Sequence, residues 1–251
     1  EKNLKVCMKC DYHFRLTAHE RIAMLLDPGS FVERDAGLRT TDPLQFPKYD
    51  ESLARYQKAT GLSEAVVSGE GRLNGLPLSL AVTDSHFLMG SMATVVGERI
   101  TRAIERAIER EIPVLLISGS GGGARMHEGL LSLMQMAKTS GALARLQQSG
   151  LLAIVLLTHP SMAGVMASWG SLGDVILAEP GAQIGFTGQR VSKQAQVTKA
   201  PDNYQTAEFQ LQHGMIDKVV PRRDLKETIG RLLLFGGAVA EVETREPIHA
   251  R

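Results

Sequence analysis

Four of the five residues from Gly119 to Gly123 are glycine, in a run "LLISGSGGGARMHEG" (115 to 129) that passes from a strand-like apolar stretch straight into a helix-like one. Three chemistries could use so bare a backbone. Gly119 to Ala124 fits the dinucleotide fingerprint G-x-G-x-x-G/A, with a strand before it and a helix after it. That fingerprint also asks for an acidic residue at the end of the next strand to bind a ribose hydroxyl, and here that strand ends in Thr158 and His159. No Gly-Lys-Ser/Thr of a P-loop occurs either. The second chemistry is nucleophilic: Ser118-Gly119-Ser120-Gly121-Gly122 comes close to the elbow G-x-S-x-G, and Asp174 and His213 follow in hydrolase order. A serine replaces the first glycine of that motif, however, and His213 in "LQHGMID" reads as a helix-end residue. The third chemistry needs no side chain. Consecutive glycines at a strand-to-helix junction leave successive N–H groups unpaired at the positive end of a helix dipole, which suits an oxyanion formed during reaction. Each well-placed donor is then worth on the order of 3 kcal/mol in the transition state. The purely structural alternative is that the glycines let a helix pack closely on a strand.

Cys7 and Cys10, the two cysteines of the chain, form a C-x-x-C that matches half of a four-cysteine zinc ribbon. Two thiolates cannot close a tetrahedron, and His13 in "CDYHF" is expected to pack rather than ligate. No thioredoxin-like setting surrounds the pair, and its spacing does not suit a scaffold disulfide, so a reducing cytoplasm is expected. Arg125 and Glu128 follow the glycine loop as an ion pair at a helix start or as ligand contacts. Met126, Leu130, Leu133, Met134 and Ala137 form a stripe that belongs to a core or a subunit interface, with Trp169 and Met166 beside it. Gly129 and Gly141 on the same helix point to a close backbone neighbour. Lys218, Arg222 and Arg223 read as a solvated basic face.

The elements that must carry these residues follow from periodicity. With 251 residues, 43% hydrophobic and 22% charged, the chain can bury one sizeable α/β core with a small appendage. A net charge of +1 gives no signature of a nucleic-acid or anionic-membrane partner, and the longest apolar run, Leu151 to Leu157, is strand length. The chain opens on "EKNLKV", without a starting Met or an apolar signal region; the expectation is no secretory address and a natural N-terminus that begins earlier. Thr17 is placed to cap a helix over "RLTAHERIAMLL", and Tyr49 to Thr60 reads as a second helix closed by Gly61. Two strands flank the Asn74-Gly75 turn, a loop "LMGSM" follows, and a helix runs from about Ala93 to Arg110. Further strands are expected at 112–118, 151–159, "DVILAEP" and "AQIGF", with a long helix from Arg125 to Gln148 and a small-residue helix over 162–173. The alternation argues for stacked β-β-α units.

The run Ser120 to Leu146, "SGGGARMHEGLLSLMQMAKTSGALARL", resembles the β-subunit family of the carboxyltransferase component of bacterial or plastid acetyl-CoA carboxylase. The likeness extends to "NLKVCMKCDYHFRLTAHERI", "FLMGSMATVVGERI", "LGDVILAEPGAQIGFTGQRV" and "FQLQHGMIDKVVPR". The resemblance implies an α/β crotonase (ClpP/crotonase-like) spiral of β-β-α units over residues 31–251, preceded by the remnant of a zinc ribbon and a linker helix over 1–30. It implies transfer of a carboxyl group from carboxybiotin, borne on a biotin carboxyl carrier protein, to acetyl-CoA to form malonyl-CoA, the first committed step of fatty acid synthesis. In that reading the backbone N–H groups of Gly122 and Gly123 hold the thioester oxygen as an enolate develops, and the ureido nitrogen of biotin is the base. Gly121, Ala124, Arg125, Met89, Gly90, Ser91, Gly185, Phe186, Thr187 and Gly188 would line the substrate. Cys7 and Cys10 would supply half of a structural zinc site. Partners implied are a carboxyltransferase α subunit in an α2β2 heterotetramer and a biotin carboxylase, in the cytoplasm or the plastid stroma; the chain alone would be nearly inactive. No membrane or nucleic-acid partner is implied. The sequence departs from the family pattern in a third glycine before "ARM", which leaves the register of the hole open by one residue, and at Met89, Ala93, Ala163 and Gln189.

Overall fold

The computed structural model describes residues 3–187 and 201–239. Its centre is a seven-stranded mixed sheet. The first three strands, β1 (Val32–Arg34), β2 (Val66–Leu73) and β3 (Leu76–Thr83), pair antiparallel. The β2–β3 hairpin turns through Asn74 and Gly75, both at positive φ (53° and 78°), as the expected Asn-Gly turn requires. From β3 onward, β4 (Val114–Ser118), β5 (Ala153–Leu157), β7 (Val175–Ala178) and β9 (Lys218–Val219) are all parallel, so the sheet runs in the order β1-β2-β3-β4-β5-β7-β9. Strands β4 and β5 are buried along their whole length, as a parallel strand covered on both faces must be. The two edges are three and two residues long and carry Glu33, Arg34 and Lys218, which leaves little ladder for a foreign strand to extend. A small second sheet joins β6 (Ser161–Met162) to β8 (Ile184–Gly185) in parallel.

Helix α1 (Ala18–Leu25) starts in a capping box, with Thr17 Oγ1 accepting from Glu20 N–H at 3.2 Å and Glu20 Oε2 accepting from Thr17 N–H at 2.9 Å. Its Ile22 and Leu25 belong to the same apolar cluster as the sheet strands. Helix α2 (Tyr49–Thr60) ends at Gly61, whose φ of 72° is the left-handed C-cap expected of it. Helix α3 (Thr94–Glu109) lays Val96, Ile100, Ala103, Ile104 and Ala107 on β2 and β3, and α4 (Gly129–Gln148) packs on α3. The short α5 (Ala207–Gln212) and α6 (Leu225–Phe235) complete the described chain. No helix among the described residues is long and apolar enough to cross a membrane.

Three expectations are corrected. The long helix begins at Gly129, not Arg125: Arg125 is extended and Met126–Glu128 make one 3-10 turn before Gly129 (φ 50°, ψ −130°) redirects the chain. Residues 162–173 form two 3-10 turns, Ala163–Val165 and Trp169–Ser171, because Ser168 between them leaves the helical region (φ −146°, ψ −129°). The close backbone approach in the helix pair belongs to Gly97, where an added Cβ would lie 2.4 Å from Gln135 Cβ, whereas Gly141 faces open space.

Candidate active site

The parallel ladder places the loops that leave β3, β4 and β5 at one end of the sheet, the end where open α/β sheets bind ligands. The loop after β4 is the glycine run. Its root is fixed by hydroxyls: Thr83 Oγ1 accepts from Gly119 N–H at 2.8 Å, Thr158 Oγ1 donates to Ser118 O at 2.7 Å, and Ser161 Oγ donates to Ser118 Oγ at 2.8 Å. From there the run lies flat against the loop after β3, backbone on backbone. Gly121 N–H donates to Met89 O at 2.9 Å, Met92 N–H to Gly123 O at 2.7 Å, and Arg125 N–H to Met92 O at 2.9 Å. Glycine is required for this approach. A Cβ on Gly90 would lie 2.8 Å from Gly119 O, and one on Gly122 would lie 2.9 Å from Ser91 Cβ and 3.2 Å from Leu88 O.

That zipper uses the Gly121 N–H, the Gly123 carbonyl and the Arg125 N–H, and leaves the donors between Gly121 and Arg125 unused. The N–H groups of Gly122, Gly123 and Ala124 meet no acceptor among the described residues. Three adjacent unpaired amides, with Gly122 exposed and no acidic side chain bonded to them, can stabilise negative charge on an oxygen brought to them. The loop after β5 closes the other side: a Cβ on Gly121 would meet Pro160 at 2.6 Å, and one on Gly123 would meet Ala163 Cβ at 3.0 Å.

Beneath the loops lies a buried polar cluster. Arg125 is 2% exposed, and Glu64 and Glu128 are fully buried. The Arg125 guanidinium donates to Glu64 at 2.5 and 2.8 Å, to Ser91 Oγ at 2.9 Å, to Ser91 O at 3.1 Å and to Tyr49 OH at 2.9 Å. Tyr49 OH donates onward to Glu128 Oε1 at 2.7 Å, and Glu128 Oε2 accepts from the N–H of Thr94 at 2.7 Å and from its hydroxyl, at the N-terminus of α3. Burial alone would raise the Glu128 carboxyl, but the Thr94 and Tyr49 hydrogen bonds and the Arg125 charge hold it below the usual carboxylate range. Burial likewise works against the Arg125 charge, and Glu64 more than offsets it. Burial pushes the Tyr49 phenol well above its ordinary value.

These positions sort the expected site residues. Gly121, Gly122, Gly123, Ala124, Met89, Gly90 and Ser91 come together as the two facing loops. Gly185 is one step away, since it pairs with Met162, whose N–H donates to Ser120 O at 2.8 Å. Phe186 beyond it is 63% exposed, and Thr187 O accepts from Gln205 Nε2 at 2.7 Å. Gly188 and Gln189 lie outside the described residues. Arg125 does not face a ligand: a guanidinium has five N–H donors, and all five have protein acceptors here. Arg222 is no solvated residue either, being 2% exposed against Glu179, while Arg223 is exposed. The stripe Met126, Leu130, Leu133 and Met134 is not core; these residues are 46 to 80% exposed, and α4 turns Ser132, Gln135, Thr139, Ala142 and Leu143 inward.

The hydrolase alternative fails on geometry. Ser120 is fully buried with its hydroxyl donating to Gly90 O at 2.5 Å, Asp174 accepts from Ala153 N–H at 2.8 Å, and exposed His213 stacks on Phe209. No nucleophile–base pair is assembled from them. At the other end, the Cys7 thiol is drawn below its ordinary value by N–H donation from Lys9 and Cys10. No group of three or more metal-binding side chains exists among the described residues, and His13 is engaged with Asp11 O at 2.8 Å and with Arg222 N–H at 3.3 Å. The residues present therefore do not fit a closed zinc site. Sequence reasoning missed Glu64, Tyr49 and Thr94; the one signal was an acidic residue set directly before the buried strand start "AVV".

A mixed sheet of this topology, with a glycine junction after a central parallel strand, is the crotonase-like α/β architecture shared by carboxyl-transferring enzymes. The chain belongs to the carboxyl transferase domain family, whose pattern matches residues 13–218, and it is a carboxyltransferase. It is 58% identical over 237 residues to the acetyl-coenzyme A carboxylase carboxyl transferase subunit beta of Desulforamulus reducens, covering 94% of this chain and 82% of that one. The subunit of the same name from Desulforudis audaxviator is 56% identical over 233 residues, covering 93% and 84%. Among solved structures, the transcarboxylase 12S hexamer with hydrolyzed methylmalonyl-coenzyme A bound is 30% identical with a TM-score of 0.74, over 88% of this chain and 41% of that one.

Proposed function

We propose that this chain is the β subunit of a two-subunit acetyl-CoA carboxyltransferase and that Gly122, Gly123 and Ala124 provide its CoA-side oxyanion hole. The observation that carries the site is the row of three unpaired amides in a loop held rigid by its neighbours. An α-proton of a thioester is weakly acidic, so the barrier falls when the developing enolate oxygen meets donors already in place. Two amides converging on that oxygen would supply several kcal/mol. The register left open by the extra glycine is then narrowed to these three donors, since Gly121 N–H is used by Met89 O. Carboxybiotin, delivered by a carrier protein as the second substrate, supplies the carboxyl group and the ureido nitrogen that takes the methyl proton. The N–carboxyl bond of carboxybiotin and one methyl C–H bond would break, and the C–C bond of malonyl-CoA and the ureido N–H bond of biotin would form.

The exposed face of Met126, Leu130, Leu133 and Met134 beside the loop is the surface an α subunit would cover, consistent with an α2β2 assembly and with little activity of the chain alone. Met89, Gly90, Ser91, Gly185, Phe186 and Thr187 would shape the acyl-CoA wall. Cys7 and Cys10 would enter a metal site only with two further ligands, and residues 1–30 would then be the end of a ribbon attached to the domain at 31–251. The expected compartment is the cytoplasm. The test is malonyl-CoA-dependent carboxylation of a free biotin analogue by the chain alone and mixed with a candidate α subunit. Turnover in the mixture alone is the expected result; turnover by the isolated chain, or none in a verified complex, overturns the reading.

A further inference from the structure

We propose that Arg125 is a positioning residue of the glycine loop: gripped by Glu64, its guanidinium holds the two facing loops at the spacing that aims the N–H groups of Gly122, Gly123 and Ala124. The inference rests on the reading of those amides as an oxyanion hole. The geometry that supports it is the reach of one side chain across three segments. Arg125 follows the glycine run by two residues, and its own N–H is the final rung of the zipper, on Met92 O at 2.9 Å. Its side chain then turns back under the partner loop, taking Ser91 Oγ at 2.9 Å and Ser91 O at 3.1 Å. Ser91 is the residue whose Cα and Cβ lie 3.1 and 2.9 Å from where a Gly122 Cβ would be. Any slack in the Arg125–Ser91 contact is therefore passed directly to Gly122.

Glu64 holds the guanidinium from behind in a bidentate pair at 2.5 and 2.8 Å, and it is fully buried, out of reach of any substrate. Tyr49 from α2 completes the grip at 2.9 Å and carries it to Glu128, which ties down the start of α3. A buried, fully hydrogen-bonded ion pair contributes little net stability compared with an apolar substitute, so its use here is to fix geometry. Arginine suits the task because its planar fork meets Glu64, Ser91 and Tyr49 at once, whereas a lysine ammonium offers three donors from a single point. A displacement near 1 Å in such a loop costs on the order of 100-fold in rate.

The experiment uses the complex with the α subunit and compares wild type with Arg125→Lys and Glu64→Gln. Both are read by steady-state malonyl-CoA turnover and by amide hydrogen exchange of residues 88–93 and 119–125 in the unliganded complex. The expected result for Arg125→Lys is a fall in kcat of about 10- to 100-fold with KM for the thioester within about twofold, and faster exchange confined to those two loops. Glu64→Gln, which keeps volume and one acceptor, shows the same pattern more weakly and serves if Arg125→Lys does not fold. A raised KM at unchanged kcat would make Arg125 a substrate ligand and overturn the proposal. So would a loss of kcat that merely tracks the folded fraction, or unchanged exchange in both loops. Should the wild-type complex turn over no malonyl-CoA, the functional reading falls, while the exchange comparison still decides whether Arg125 sets the loops.

Discussion

Two buried charge clusters stand at the same end of the sheet, and they are mirror images in composition. Under the glycine loop one arginine, Arg125, lies between two glutamates, Glu64 and Glu128. Beyond β7 one glutamate, Glu179, lies between two arginines, Arg21 and Arg222. Each is nearly inaccessible. The difference is in what they hold. Arg222 reaches out to main-chain carbonyls, Leu4 O at 2.7 Å and Phe14 O at 2.9 Å, and so pins the C-x-x-C turn to the body of the protein. Arg125 pins two loops to each other and leaves their amides free. The Glu179 cluster is an anchor for an appendage; the Arg125 cluster is a spacer within a site. Breaking the anchor should cost stability, and disturbing the spacer's loops should cost rate.

The largest effect is expected on the site side. Gly122→Ala puts a methyl 2.9 Å from Ser91 Cβ, against a backbone that the zipper prevents from yielding. A fall in kcat of about 100-fold or more, the equivalent of losing one oxyanion donor, is expected in the malonyl-CoA assay, with a stability loss of only about 1–3 kcal/mol in chemical denaturation. On the anchor side the order reverses. Glu179→Gln leaves Arg21 and Arg222 buried without their counter-ion and should cost about 3–5 kcal/mol, while faster alkylation of Cys7 and Cys10 reports release of the turn. If kcat of the folded fraction fell as far as in Gly122→Ala, the two clusters would not be separate devices.

Acid gives a milder test of the same contrast. Burial raises the Glu179 carboxyl, but Arg21 and Arg222 outweigh it and bring it down to about 2 from an unfolded value of 4.5. A carboxylate depressed in the folded state contributes stability that is fully present above pH 4.5 and is lost as pH falls toward 2, here on the order of 3 kcal/mol. Glu128 is shifted in the same direction. Denaturation midpoints measured from about pH 6 to about pH 2.5 should fall steeply in wild type and more shallowly in Glu179→Gln, which has no such carboxylate to protonate.

How much of this was legible in the sequence differs between the two regions for a physical reason. The glycine run, the Asn74-Gly75 hairpin, the Thr17 cap and the parallel strands are local, and each leaves a residue-type signature within a few positions. Glu64 and Arg125 are 61 residues apart, and Arg222 and Glu179 are 43 apart, so no spacing announces either pair. Charged side chains read as surface, which is why the sequence suggests a solvated Arg222. Helix α4 misleads in the opposite sense. Its apolar stripe has helical spacing, but Ser132, Gln135 and Thr139 face inward, and Gln135 fits only because Gly97 on α3 lacks a side chain. The helix expected at 162–173 fails because small residues at helical spacing imitate a packing face, whereas here the glycines make room for neighbours: a Cβ on Gly164 would lie 2.4 Å from Met92 Cε and one on Gly170 2.5 Å from Val165 Cγ1.

The smallest effect concerns backbone strain, which both regions carry. Leu4 and Lys5 in the anchored turn have φ of 51° and 54°, and Leu88 and Met89 in the site loop have φ of 43° and 58°. A left-handed conformation costs a side-chain-bearing residue about 1–2 kcal/mol, and placing glycine there returns about 0.5–1 kcal/mol of that as chain entropy in the unfolded state. Met89→Gly is therefore expected to stabilise the chain by about 0.5–1 kcal/mol, a rise in Tm of roughly 1–4 °C. The carbonyl that accepts from Gly121 N–H is main chain and survives the change. The side chain does not, and Met89 Cε is the atom lying 3.7 Å from where a Gly121 Cβ would be, over the mouth of the loop. If the variant gains stability and loses kcat, the strain at Met89 is retained because its side chain covers the glycine loop; if it gains both, that strain has no part in the site.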